Sequence, residues 1–360
     1  DRFKGPSKNG QEITWEKADE EIVAQLTTLK AQNGKVVLLS SSIISPTTRD
    51  IISKFAEKLT NTEWIQYDPV SASGILEANQ KSFGTSFIPD YQFKKAKVVV
   101  SFNADFLGSW LSVVEYTKGY TAARQLQNGR NEMLRHYQFE AGMTLSGSNA
   151  DVRFPIKPSE EGAIVLALYN AVAKAKGGQV LSGSQSSVDI SELAKELLAN
   201  EKQSIVISGS NDVSIQLLIN GINQMLGNYG QTIGLENPLL TKQGIDQDTD
   251  RLLSDLKAGN IKALLVWNAN PVYDHPKGKE FAEAIKKTGL SISFSERPDE
   301  TTALCQYVLP ESNLLESWND MEPKTGIYSL SQPVIAPIFN SRQPQSTMLN
   351  WIGAEDNYRD

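Results

Sequence analysis

The stretch ALLVWNANPVYDHP (Ala263–Pro276) decides the fold, because the chain holds a near-copy of it in KVVVSFNADFLGSW (Lys97–Trp110). Each is a run of β-branched and apolar residues that ends in an aromatic, then Asn-Ala, then a loop. A run that is apolar at successive positions predicts a strand buried on both faces, the habit of parallel sheets covered by helices. In open sheets of that kind, ligands bind at the carboxyl ends of the strands. Two such strands predict two α/β units in one chain, each with its own crest of loops.

Working outward, the pattern repeats on both sides. Thr14 opens a helix to Lys30, with Ile22, Leu26 and Leu29 as its apolar stripe, and Gly34 ends it. There follow an expected strand at Lys35–Ser40, a helix at Thr47–Leu59, a strand at Trp64–Tyr67, a polar loop region to Lys95 and the first repeated strand. A second series has helices at Ala122–Phe139 and Glu160–Ala175, a strand at Asp151–Ile156, a helix at Ile190–Leu198, a strand at Ser204–Ser208 and a helix at Val213–Leu226. A helix at Asp248–Lys257 leads into the second repeated strand. Beyond it come a helix at Lys277–Thr288, strands at Leu290–Phe294 and Cys305–Leu309, and a proline-dotted tail. Alternation of this kind predicts parallel sheets.

Composition excludes several functions. The 360 residues are 40% hydrophobic and 21% charged, enough for two cores. A net charge of −7, with no dense Lys/Arg block, argues against a nucleic-acid groove or an anionic-membrane patch. No apolar run approaches the roughly 20 residues of a membrane span. The single cysteine, Cys305, builds neither an internal disulfide nor a multi-thiolate cluster, and two histidines leave little for imidazole chemistry.

The motifs that imitate sites fall short one by one. Glu132, His136 and Glu140 stand four apart, so on a helix they would share a face; nothing nearby completes a metal shell, and a solvated face with Arg130 and Arg135 as ion-pair partners is expected. Asp246, Asp248 and Asp250 open like a calcium loop, but Arg251 stands where glycine is needed and Lys257 where a bidentate Glu is needed, leaving acids at a helix amino terminus. SGSND (Ser208–Asp212) follows a strand without forming G-x-G-x-x-G or G-x-x-x-x-G-K-[ST], so a turn and an N-cap are expected. His275, beside Asp274 in the loop after the second repeated strand, lacks a G-x-S-x-G partner. Cys305, inside an apolar stretch, reads as a small buried hydrophobe.

Taken together the segments resemble one family. ITWEKADEEI, KKAKVVVSFNADFLGSW, MLRHYQFEAGMTLSGSNADVRFPIKPSEEGA, INQMLGNYGQTIG, IKALLVWNANPVYDHP and ERPDETTALCQYVLPESNLLESWNDMEPKTGIYSLSQPVI follow the order of the large subunits of molybdopterin oxidoreductases, across nearly the whole chain. FNADFLGSW, SGSNADVRFPIKPSEEGA and LESWNDMEPKTGIYSL look most like the corresponding part of the B subunit of alternative complex III, a bacterial quinol-oxidising respiratory complex. The resemblance implies two Rossmann-like parallel-sheet domains related by a pseudo-twofold, one inserted in the other. We place the host at 1–99 and 259–345, the insertion at 100–258 and a carboxyl-terminal tail at 346–360. In the family the two crests grip two pterin guanine dinucleotides around a metal.

The departures from the family pattern matter as much. The segment that supplies a Cys, selenocysteine, Ser or Asp to the metal reads YDPVSASGILEANQKSFGTSF here, with only Asp68, Ser71 or Ser73 to substitute. The glycine that lets nucleotide phosphates approach each strand end reads Phe102 and Trp267, whose rings are expected to fill that space. The reading is therefore a non-catalytic domain without pterin, molybdenum or other cofactor, and with no catalytic residue. Its expected setting is the periplasmic face of the bacterial cytoplasmic membrane. Its expected partners are an iron–sulfur segment of the same subunit, a multihaem cytochrome and membrane quinol-binding subunits, which carry the iron–sulfur clusters and haems. The alternative is a catalytic molybdenum or tungsten oxidoreductase fragment with Asp68, Ser71 or Ser73 at the metal and Asn103, Asn270 and Arg153 near the nucleotides. A third is a two-domain protein closing on a small polar ligand.

Overall fold

Two units of α/β structure account for the computed structural model, which describes residues 1–126, 131–354 and 358. Contacts group 1–71 with 243–360, and 72–242 separately. Segment 72–99, expected with the host, therefore falls with the inserted unit, and 243–258 falls with the host. The reasons are local: the helix Ser73–Phe83 packs on Val213–Met225, while Asp246–Lys257 packs on Gly278–Lys287.

The first unit is built on a sheet with strands in the order Gln11–Glu12, Ser7–Lys8, Tyr307–Val308, Leu290–Phe294, Ile261–Trp267, Lys35–Ser40 and Thr62–Gln66. From Tyr307–Val308 onward all are parallel, and the amino-terminal hairpin joins antiparallel. Period-two alternation divides each buried strand between two layers. Val36, Leu38, Ala263, Leu265 and Trp267 meet the helices Trp15–Ala31 and Pro46–Leu59. Val37, Leu39, Leu264 and Val266 meet Asp246–Lys257 and Gly278–Lys287. Thr14 caps its helix as expected, accepting from the Lys17 amide at 3.2 Å.

The expected tail is not a tail. Pro344–Trp351 is a helix that buries Met348, Leu349 and Trp351 in the first core, and the Trp351 indole donates to Asp19 at 2.8 Å. Before it, Asn319–Lys324 and Ile327–Ser331 form an antiparallel hairpin where irregular chain was expected.

The second unit has a parallel sheet in the order Val152–Pro155, Arg135–Glu140, Val98–Phe102 and Ser204–Ser208. Ile88–Tyr91 pairs antiparallel with Ile233–Leu239. Two sequence expectations fail here. The polar region before Lys95 contains the helix Ser73–Phe83 and the strand Ile88–Tyr91. The helix expected over Ala122–Phe139 ends at Ala123, and Arg135–Glu140 is a central strand.

Candidate functional site: the two strand crests

In each unit the repeated strand ends on an aromatic and turns at the next residue. Asn103 has φ 51° and Asn268 has φ 50°, the left-handed region that Asn tolerates better than other side-chain-bearing residues. The Asn-Ala repeat is thus a repeated turn. The aromatics do not fill the crest. Phe102 is fully buried and stacks on Phe139 at 4.7 Å, which stacks on Phe154 at 4.6 Å, a ladder across three strands under the helices. Trp267 lies in the core of the first unit against Phe294. The expected steric block is overturned: each aromatic shares its strand face with the alternate residues Val98 and Val100, or Ala263 and Leu265, and so points into the core.

What occupies the crests instead is carboxylate. In the second unit the Asn103 amide donates to Glu161 Oε2 at 2.6 Å, and Ser208 Oγ donates to Glu161 Oε1 at 2.6 Å. Glu161 is buried. The Ser208–Asp212 loop is held beside it so tightly that a Cβ on Gly209 would lie 2.5 Å from the Asn103 carbonyl oxygen, so only glycine fits. At the start of the next helix Asp212 is the N-cap and accepts from the amides of Ser214 at 2.7 Å and Ile215 at 3.4 Å. The amides that could greet an anion already serve the chain's own acid.

The first unit repeats the arrangement with other residues. Glu311 Oε2 accepts from the Trp267 indole at 2.8 Å and from the Asn268 amide at 3.4 Å. Burial pushes its carboxyl up to about 7, against the lowering by its Trp267 and Asn268 donors. Asn270 donates to Glu300 Oε2 at 2.8 Å and accepts from Thr301 Oγ1 at 2.7 Å. That amide holds the Glu300 carboxyl below its ordinary value. A phosphate brought beside an ionised carboxylate is repelled, which opposes the ~0.3–2 kcal/mol a helix amino terminus returns.

The residues considered for a metal and for the nucleotides are engaged within the chain. Asp68, buried in the first unit, accepts at Oδ2 from Ser42 Oγ at 2.7 Å, the Gln243 amide at 3.0 Å and the Gly244 amide at 2.9 Å. It fastens two loops of its unit. Ser71, the last residue before the interruption, is also engaged. Ser73, buried at the start of a helix in the second unit, donates to Glu77 at 2.7 Å. Arg153 pairs with Glu140 at 2.5 Å, a carboxylate that also accepts from Thr144 Oγ1 at 2.7 Å.

The spacing of Glu132, His136 and Glu140 has a different basis from the one expected. On a strand, residues two and four apart share a face. His136, Gln138 and Glu140 therefore form a buried ladder along Arg135–Glu140, with His136 Nδ1 facing Tyr120 Oη at 3.2 Å, Nε2 facing Gln138 Oε1 at 3.1 Å, and the Gln138 amide donating to Glu140 at 3.3 Å. Burial lowers His136 to about 4, so it is neutral. Glu132 lies apart and exposed, 3.6 Å from Lys97; Arg135 is 3.8 Å from Glu196; Arg130 lies outside the described residues. Among the described residues no group of three or more His, Cys, Asp and Glu is placed to hold a metal.

Other expectations meet the structure directly. Asp246 and Asp248 sit in the first turn of Asp246–Lys257, and Arg251 bonds Asp248 and Glu63. His275 packs on Tyr67 and Phe281, and its Nδ1 accepts from the Lys277 amide. Cys305 is buried and its thiol is pushed up to about 12, far from a reactive thiolate. Glu161 and Glu311 were invisible to spacing, lying 58 and 43 residues from their asparagines.

Comparison with known proteins agrees with this architecture. The molybdopterin oxidoreductase family model matches residues 4–346. The chain is 25% identical over 391 aligned positions to the menaquinone reductase, molybdopterin-binding-like subunit of Nitratidesulfovibrio vulgaris (strain Hildenborough), covering 95% of this chain and 55% of that protein. It thus spans about half the length of that relative. Acetylene hydratase from Pelobacter acetylenicus superposes with a TM-score of 0.74 at 13% identity, over 99% of this chain and 62% of that one. A chain of the formyltransferase/hydrolase complex of Methylorubrum extorquens gives 0.65 at 14% identity, over 97% of this chain and 98% of that one. Both likenesses are of fold. With its match running nearly end to end, the chain belongs to the molybdopterin oxidoreductase family.

Proposed function

We propose that this chain is a structural, non-catalytic domain of a respiratory quinol-oxidising complex of the alternative complex III type, folded like a molybdopterin oxidoreductase but working without pterin or molybdenum. In this reading it sits on the periplasmic face of the membrane. Electrons move through iron–sulfur clusters and haems held by an iron–sulfur segment of the same subunit and by a multihaem cytochrome, from membrane subunits that bind quinol. The subunit name of the relative, a menaquinone reductase component, supports the quinone setting. Among the described residues no helix is long and apolar enough to cross a membrane.

The observation that carries the reading is that the asparagines of both crests are taken up by the chain's own acids, Asn103 by Glu161 beside the Asp212 N-cap in one unit, and Asn268 by Glu311 and Asn270 by Glu300 in the other. A nucleotide diphosphate meets carboxylate where it needs amides or cations. Thermal shift with pyrophosphate and with guanosine diphosphate tests this. A ligand at 100 times its Kd adds about 2.7 kcal/mol of stability, so a bound nucleotide would announce itself. The expected result is no shift with either; a saturable rise with guanosine diphosphate would contradict the reading.

A further inference from the structure

The run from Thr325 to Ser341 contains no charged residue, in a chain where 21% of residues are charged. It holds the outer strand of the hairpin, Ile327–Ser331, and the segment after it. Ile327, Tyr328, Leu330, Val334, Ile335 and Ile338 are each between 43% and 87% exposed. Six such side chains expose on the order of 500 Å² of apolar surface in all, Tyr328 and Leu330 on one face of the strand and Ile327 on the other. A stable interface takes about 800 Å² from each partner, a little over half of it apolar, so a segment laid along this edge would meet apolar surface on both of its faces.

The backbone narrows the occupant. Ile327–Ser331 pairs with Asn319–Lys324 on one side and has no partner strand on the other among the described residues. Lysines or prolines usually guard such an edge, and this strand has neither. Lipid tails cannot satisfy the outward N–H and C=O groups. The paired strand carries Asp320 and Glu322 against Lys324 alone, in a chain of net charge −7, which disfavours an anionic membrane.

We propose that this edge takes a strand from another subunit: an extended, apolar segment, uncharged along its length and basic at its flank, added beside Ile327–Ser331 and packed on Val334 to Ile338. The proposal rests on the scaffold reading above and names the surface through which the scaffold would act.

The test uses the full subunit in its complex. A photoreactive benzoylphenylalanine at position 330 should crosslink to a peptide of a neighbouring subunit. Leu330→Lys should reduce that subunit's recovery per copy of this chain, with circular dichroism and melting unchanged. Crosslinking to a second copy of this chain, Leu330-dependent binding to phosphatidylglycerol vesicles, or wild-type recovery with no crosslink would each overturn the proposal. Metal analysis of the same sample separates the two readings: molybdenum with the crosslink retained would sink the scaffold reading and leave the docking strand standing.

Discussion

Replacing Asp68 distinguishes a structural acid from a metal ligand. One of its carboxylate oxygens receives a hydroxyl and two backbone amides at 2.7–3.0 Å. Asp68→Ala strands the buried Gly244 amide, while the Gln243 amide keeps Ser42 Oγ at 2.7 Å. A stranded buried donor costs ~1–3 kcal/mol, and the lost charge-assisted bond to Ser42 with the void left by the carboxyl brings the total to about 3 kcal/mol. Asp68→Asn keeps an acceptor and loses only the charge, at a cost of about 1 kcal/mol. For a unit of this size the two costs are melting shifts of about 6–12 °C and 2–4 °C. Differential scanning calorimetry reads both. An Asp68→Ala protein that melts with wild type would refute the fastening role, most pointedly if it had also lost a bound metal.

Three further outcomes follow from the same contacts. Phe139→Ala removes the middle ring of the stack between Phe102 and Phe154 and should cost ~3–5 kcal/mol, read as an earlier unfolding transition of the second unit in urea. Glu311, raised from 4.5 to about 7, binds its proton more tightly folded than unfolded, so its stabilisation is full below pH 4.5 and is lost as pH rises through 7; Glu311→Gln should flatten that fall in a melting series. His136 has the opposite sign: lowered from 6.5 to about 4, it contributes stability above pH 6.5 that drains as pH falls towards 4, and His136→Asn should remove the slope.

Much of the fold was legible, because buried parallel strands announce themselves. VVVSF and ALLVW need helices on both faces, and the structure supplies them. The strand Arg135–Glu140 was hidden by its polarity, since His, Gln and Glu at alternate positions look solvent-facing and a four-residue interval fits a helix and a strand equally. The hairpin Asn319–Ser331 was hidden by Pro323 and by a register shift between Met321 and Lys324. At the crests, the repeated Asn was legible as a turn signal. Ring direction was not, because it depends on the parity of each strand against its core. The glutamates that answer the asparagines come from distant loops, and only the tertiary fold brings them there.

The most direct measurement is molybdenum, tungsten and pterin content of the intact subunit purified from its native membrane complex. The account predicts metal at background and no pterin fluorescence after acid oxidation. One molybdenum or tungsten per subunit, with pterin released alongside it, would contradict it.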